Sequence, residues 1–353
     1  MRNRHSHPKQ HLARWLLLFI GWLVAFALVL SWLGGSELAG QVSRVNLTLV
    51  GAAILFLFGA YVVSLVNWAV FVRASGINTR FGVLAQMLAA GLFVDHVLPP
   101  IAPGGELTMG YLLSRQSRKP FSKTFATVTI HSVTWLVSFM AFTFLLLVYL
   151  LYQGNISRDL TLLFMLLLIG FGFLLWFVVH LALAPRLCKR IACGAVSRLF
   201  PAVSLLSGGK LRKRQLLAWV GSTVDAFSKS FSVFLHQRGL VWASCGLMVF
   251  HHFFIALSFF FVLAAFGVPL SPTLAMAIYM FISLVSLLSF VPGQLGVYEV
   301  TGVILVTLAG GTQAGLVALA IGVVRLIHYW AVIFVGGFFA LKLGMEKLVL
   351  VRP

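Results

Sequence analysis

Long apolar runs separated by short polar segments recur along the whole chain, and each is near the roughly 20 residues that span a hydrocarbon core. The first run follows a basic stretch but is too long for the apolar part of a signal peptide, and no small-x-small cleavage site follows it. We therefore interpret it as a retained anchor. The pattern predicts an all-α, polytopic membrane bundle with spanning helices at 14–33, 46–72, 122–152, 160–184, 240–266 and 313–342.

Two further apolar regions, 82–113 and 273–311, are interrupted near the middle by proline and glycine. The first interruption reads LPPIAPGGE over 98–106, and the second reads FVPGQLGVYE over 290–299. Proline removes a backbone donor and glycine readily leaves helical geometry, so each region predicts a pair of half-helices. Two ordinary proline-kinked spans are the alternative.

Lysine and arginine concentrate in the short segments between the apolar runs, as the positive-inside rule expects of cytoplasmic loops. All the rich segments lie in the cytoplasm only if 82–113 enters and leaves the bilayer from that side, and 273–311 from the outside. We thus expect about six spanning helices, both termini in the cytoplasm, and two re-entrant pairs. Such pairs in opposite orientations are typical of inverted-repeat transporters, and they divide the chain into halves 1–184 and 240–353.

The connector between these halves, 185–239, is basic and contains an apolar stripe with spacings of three and four residues. Such a stripe predicts a helix, which either lies on anionic lipid or docks on the bundle. Both interpretations stay open. The stripe consists of Leu216, Val220, Val224, Phe227, Phe231 and Phe234.

Composition agrees with the membrane class, since 61% of residues are hydrophobic and only 9% are charged. The formal charge of +19 follows from 26 basic and 7 acidic residues. Its concentration in the loops indicates anionic phospholipid headgroups as partners, and no nucleic acid. The three cysteines, Cys188, Cys193 and Cys245, give no indication of a disulfide framework.

Four of the seven acidic residues lie in or beside apolar segments: Asp95, Glu106, Asp225 and Glu299. A charge at mid-bilayer costs at least about 2.5–3.5 kcal/mol, so such acids are functional candidates. Glu106 and Glu299 each follow a glycine-containing break where a half-helix begins. The free N–H groups there suit an anion such as a lipid phosphate, and capping by the glutamate itself is the alternative.

Arg325 stands in the middle of an apolar helix, too far from either end to reach water. It needs an acidic partner, and Glu299 is the nearest candidate at a plausible depth. A lipid phosphate is the alternative partner, because the guanidinium fork matches its geometry. The side chains that we expect to line a cavity or to titrate are Asp95, His96, His131 and His328.

Signatures of soluble enzyme chemistry are missing from the sequence, which has no HExxH, CxxC, GxSxG or P-loop lysine motif. The adjacent His251 and His252 point in different directions on a helix, which makes them a poor metal site. We expect no enzymatic activity, no catalytic residue, no cofactor and no metal. A membrane-embedded transferase with Asp95 or Glu106 as the base is the least supported hypothesis.

A family resemblance rests on three features: the motif LPPIAPGGE with the basic segment after it (98–123), the motif SFVPGQLGVYE (289–299) and the layout in two halves. Together they resemble the flippase-like transmembrane region of lysylphosphatidylglycerol synthases, which also occurs as stand-alone inner-membrane proteins. The resemblance implies translocation of a phospholipid, classically an aminoacylated phosphatidylglycerol, across the bacterial cytoplasmic membrane. Carried onto this chain, the headgroup path comprises Pro103, Gly104, Gly105, Glu106, Pro292, Gly293, Gly296 and Glu299, to which we add Arg325.

Three departures from the family pattern leave the substrate open. Gln294 stands where the late motif has a second glycine, and Thr129-Ile130-His131 stands where an acid–arginine pair is usual. The soluble aminoacyl-transferring domain is absent from this sequence, so we do not expect the chain to make the lipid itself. The alternative function is a non-transporting partner subunit that holds a lipid-synthesising enzyme through 185–239, and a homodimer is left open.

Overall fold

A computed structural model describes residues 20, 40, 44–99, 104–154, 158–206, 213–310 and 312–344. Almost all of the predicted first span, 14–33, and Pro103 lie outside the described residues. Within the described part the chain forms twelve α-helices and no strand, which confirms the all-α class. The helices are α1 Leu47–Ala74, α2 Phe81–Val97, α3 Gly104–Ser117, α4 Phe121–Tyr152, α5 Arg158–Leu183, α6 Pro185–Leu206, α7 Lys213–His236, α8 Arg238–Ala265, α9 Pro272–Leu287, α10 Val297–Gly310, α11 Ala314–Arg325 and α12 Ala331–Lys342.

Six helical stretches of the described residues are long and apolar enough to cross a membrane. They are Leu47–Ala74, Phe121–Tyr152, Phe164–Leu183, Arg238–Ala265, Pro292–Gly310 and Ala314–Lys342. Five of them coincide with predicted spans. The other, Pro292–Gly310, belongs to the second broken region and includes the break itself. The chain is therefore a multi-pass helical membrane protein.

The first broken region folds as a helical hairpin of α2 and α3, which we call hairpin 1. Its helices have 17 and 14 residues, so they are about 26 and 21 Å long, less than the roughly 30 Å of a hydrocarbon core. As the residue number increases along α2, the number of the neighbouring residue in α3 decreases, so the two helices are antiparallel. The neighbouring pairs are Gly91 with Met109, Asp95 with Gly105, and Leu98 with Gly104.

The second broken region also forms a hairpin, hairpin 2, from α9 and α10 with 16 and 14 residues. A 3-10 turn over Pro292–Gln294 joins them. Gly302 lies beside Ile282, and both are ten residues from Pro292, so these helices are antiparallel as well. The predicted breaks are thus present. The opposite membrane orientations of the two hairpins, the inverted repeat and the division into halves stay predictions.

Helices α1 and α8 pack against each other in antiparallel orientation. The Asn46 N–H donates to the Ala265 carbonyl at one end (3.0 Å), and Ser258 Oγ donates to the Ala53 carbonyl further along (2.7 Å). Helix α12 packs on α2 at Gly336, where the missing side chain lets the Ala89 carbonyl approach closely. This contact holds hairpin 1 against the last spanning helix.

The connector contains two helices, α6 and α7, and the C-terminal half of α7 docks on the bundle. Phe231 and Phe234 are buried, and the Phe234 ring meets the Phe71 ring at 5.7 Å between centroids. Ser228 Oγ donates to the Ala182 carbonyl at 2.7 Å. The docked interpretation therefore holds for this half. Contact of the basic remainder with lipid stays a prediction.

Candidate functional site

The turn of hairpin 2 is built from left-handed backbone, with φ of 63° at Gly293, 58° at Gln294 and 84° at Gly296. Helix α10 starts directly afterwards, and Glu299 lies in its first turn. Glu299 Oε2 accepts a hydrogen bond from the Gly296 N–H at 2.8 Å. The capping alternative is thus confirmed for this glutamate, which satisfies one free N–H of its own helix.

Arg325 is only 4% exposed and fixes both sides of this turn. Its Nε donates to Glu299 Oε1 at 2.8 Å, and its Nη2 donates to the Gly293 carbonyl at 2.8 Å. The guanidinium lies over the ring of Tyr329 at 4.1 Å and near that of Tyr298 at 5.1 Å. The predicted pairing of Arg325 with Glu299 is confirmed. Two of the five guanidinium N–H donors are therefore engaged by hairpin 2 itself.

The tip of hairpin 1 carries two carboxylates with different partners. Asp95 Oδ1 accepts from the Gly105 N–H at 2.7 Å, so Asp95 supplies the cap of α3. Glu106 instead accepts from Ser132 Oγ on α4 at 3.3 Å. In the described part of the chain, neither carboxylate forms an ion pair. The two glutamates at matched positions therefore have different surroundings, and hairpin 1 has the more acidic tip.

The two hairpin tips meet at Tyr329. Its hydroxyl donates to the His96 carbonyl at 3.1 Å, and its ring lies 5.4 Å from the His96 ring. The same hydroxyl occupies the space that a Cβ on Gly293 would need. The structure thus brings together Asp95, His96, Gly104, Gly105, Glu106, Gly293, Gly296, Glu299 and Arg325, with Pro292 exposed at the rim.

A π-helical turn over Leu326–Trp330 joins α11 to α12 directly after Arg325. Such one-residue insertions are frequent at functional sites. His328, which we expect to line a cavity or to titrate, forms a hydrogen bond through its Nε2 with Ser258 Oγ on α8 at 2.8 Å. Tyr329 was not singled out in the sequence, where the signal was an aromatic-rich HYW triplet beside an intramembrane arginine.

His131 lies away from the tips, in the interface of α1 and α4. Asn67 Nδ2 donates to its Nδ1 at 3.0 Å, and Ser64 Oγ lies 3.4 Å from its Nε2. His251 and His252 bond to the backbone carbonyls of Ala60 and Trp135. The described residues contain no group of three or more metal-ligating side chains. Asn67 was missed, since a neutral amide in an apolar helix carries no charge signal.

Comparison with known proteins identifies the family of this chain. The model for the lysylphosphatidylglycerol synthase transmembrane region matches residues 15–336. A UPF0104 membrane protein of Pyrococcus horikoshii is 24% identical over 345 residues, covering 93% of this chain and 97% of its own. One from Methanothermobacter thermautotrophicus is 22% identical over 326 residues, covering 91% and 93%. These relatives are archaeal, so a bacterial inner membrane stays a prediction. The chain belongs to the lysylphosphatidylglycerol synthase transmembrane-region family.

Proposed function

We propose that this protein moves phospholipids between the two leaflets of its membrane, with the headgroup passing between the tips of hairpins 1 and 2. The observation that carries the proposal is the meeting of the two hairpin tips at Tyr329, beside the buried Arg325 that pairs with Glu299. Irregular backbone at membrane depth is tolerated where protein covers it or where it lines a wet cavity. The simplest function of two such hairpin tips in contact is to form a polar passage for headgroups.

The groups at the tips match the charges of a phospholipid headgroup. Arg325 and the N-terminal N–H groups of α10 suit a phosphate. Asp95 and Glu106, which have no cationic partner among the described residues, suit the ammonium part of an aminoacylated or zwitterionic headgroup. In the present conformation Tyr329 bridges the tips, so a headgroup passes only after this contact opens.

The test is reconstitution of the full chain into liposomes, with leaflet exchange measured for labelled phosphatidylglycerol and its aminoacylated form. We expect exchange that requires the protein and falls strongly in Glu299→Gln and in Glu106→Gln. Asp225→Asn is the matched control, because this acid lies exposed on α7, far from the hairpin tips in sequence, and pairs with Lys189. Asp225→Asn should exchange lipid at the unaltered rate.

Absence of exchange for every lipid, with folded protein, would contradict the proposal and favour the partner-subunit alternative. That alternative is supported by the exposed arginines Arg186, Arg190 and Arg198 on α6. It predicts co-purification of a lipid-modifying enzyme that is lost when these three residues are changed to glutamate. Retention of that enzyme by the charge-reversed chain would contradict the partner role.

A further inference from the structure

A buried polar cluster lies between α1 and α4, apart from the hairpin tips. It consists of Ser64, Asn67, His131 and Thr134, which are between 0% and 7% exposed. Both helices are among the membrane-spanning stretches. An ionisable residue inside a span is costly and indicates a function by default. None of the four contacts the headgroup groups described above, so the proposed lipid path does not account for them.

The hydrogen bonds of this cluster place Nδ1 of His131 beside a donor. Asn67 Nδ2 donates to His131 Nδ1 at 3.0 Å and to Thr134 Oγ1 at 3.0 Å. A nitrogen that accepts a hydrogen bond carries no proton, so the imidazole is neutral in this arrangement. Asn67 Oδ1 is buried and has no hydrogen-bond partner. An unsatisfied buried acceptor costs about 1–3 kcal/mol, which only a further donor would recover.

Protonation of His131 would supply that donor. An imidazolium donates from both ring nitrogens. A half-turn of the Asn67 amide brings its Oδ1 to Nδ1, while Nε2 already faces Ser64 Oγ at 3.4 Å. The cluster thus contains one acceptor for each N–H of the imidazolium. The amide can serve either state of the ring by exchanging its donor end for its acceptor end.

Among the described residues, α1 and α8 carry titratable groups near the ring. His251 interacts electrostatically with His131, His252 follows it, and Tyr61 lies against the His251 ring at 6.5 Å. Two imidazolium ions this close repel each other, so the region is suited to one proton at a time. On the side of the hairpins, the residue after His131 is Ser132, whose hydroxyl donates to Glu106.

We infer that His131 is a proton-binding site, with Asn67 as its switching partner, and that its proton is the coupling ion of lipid movement. The lone pair on Nδ1 takes up a proton from water on one side of the membrane, and the ring releases it on the other. No electron moves, and no further reactant is required. The link to transport rests on the proposed function, because Ser132 connects this turn of α4 to the tip of hairpin 1. The proton site itself does not rest on it.

The proton site is tested by nitrogen NMR of the full chain, ¹⁵N-labelled at histidine, in lipid nanodiscs. Among the signals of the ten histidines, we expect one titrating ring signal that is lost in His131→Gln. In Asn67→Asp, a carboxylate beside the ring should move that titration upward by about one to three pH units. His252→Gln is the matched control, since this buried histidine bonds to the Trp135 carbonyl and, among the described residues, forms no hydrogen bond with the Ser64–Asn67–His131 cluster. It should leave the titration in place.

Coupling is tested by lipid exchange in liposomes with and without an imposed pH gradient. The unaltered chain and His252→Gln should be accelerated by the gradient, and His131→Gln should not. If His131 titrates but the protein exchanges no lipid, the proposed function is contradicted and the proton site is retained. Gradient-driven exchange in His131→Gln, or a His131 signal that stays neutral throughout, would overturn the inference and leave the proposed function standing.

Discussion

Arg325 is buried in a membrane-spanning helix because protein groups replace the water that its guanidinium loses. The Glu299 carboxylate balances the charge, the Gly293 carbonyl accepts one N–H, and the Tyr329 ring covers one face. The carboxylate and the carbonyl belong to hairpin 2, and the ring belongs to the π-helical turn that follows Arg325. The ion pair therefore also fixes the shape of the turn, so stability and transport have to be separated by experiment.

Removing one partner of this pair should cost more than removing both. Glu299→Gln leaves a buried cation without a counterion and should lower the free energy of unfolding by about 3–5 kcal/mol. The double variant Glu299→Gln with Arg325→Met removes both charges and should recover most of this loss. Thermal unfolding in detergent measures the difference. A double variant that is stable and still exchanges lipid would show that the pair serves structure alone.

The two left-handed glycines of the turn provide a second, internally matched test. Gly296→Ala meets open space and should cost only the backbone strain, about 1–2 kcal/mol. Gly293→Ala carries the same kind of strain and also collides with the Tyr329 hydroxyl. It should therefore be the less stable variant by thermal unfolding and should break the contact between the hairpin tips. Equal melting temperatures for the two variants would contradict this account.

What could be predicted at the residue scale depends on charge. Glu299 was identified as the partner of Arg325 because few acids lie at membrane depth, and each needs a reason to be there. Tyr329 and Asn67 were not identified, because neutral side chains are common in apolar helices. Their roles come from contacts between helices distant in sequence, such as Tyr329 with His96, which no periodicity along one helix reveals.

At the scale of elements, the packing of α12 on α2 depends on one glycine, which has no side chain at the contact. A Cβ on Gly336 would overlap the Ala89 carbonyl, which belongs to rigid helical backbone. Gly336→Ala should thus push the helices apart and cost about 1–3 kcal/mol. Gly337→Ala is the control, since its Cβ would lie 3.3 Å from a movable Phe93 ring carbon. We expect the melting temperature of Gly337→Ala to be close to that of the unaltered chain and that of Gly336→Ala to be clearly lower.

The half-helices themselves were predictable, since proline and glycine interrupt runs that are otherwise long enough to span. The fate of the connector was not. Its apolar stripe fits either a membrane surface or a protein surface, because both offer an apolar plane to an amphipathic helix. The burial of Phe231 and Phe234 against the bundle shows that the C-terminal half of α7 is docked.

For the whole molecule, the contact between the hairpin tips is the feature on which the proposed transport depends. If headgroups pass between the tips, His96 and Tyr329 must separate in each cycle. A short bifunctional thiol reagent can prevent this in a His96→Cys, Tyr329→Cys chain whose own Cys188, Cys193 and Cys245 are replaced by serine. We expect the cross-linked protein to lose lipid exchange and to regain it when a reducible linker is cleaved.

The control for this experiment carries a cross-link elsewhere in the bundle, at Asn46→Cys and Ala265→Cys, where the ends of α1 and α8 meet. These ends frame the closely packed α1–α8 pair, which need not open if the passage lies between the hairpins. Exchange should therefore survive this second cross-link. Exchange that persists with the tips fully cross-linked would mean that the headgroup travels elsewhere. In that case the meeting of the two breaks would stabilise the bundle, and the lipid path would have to be sought along another helix interface.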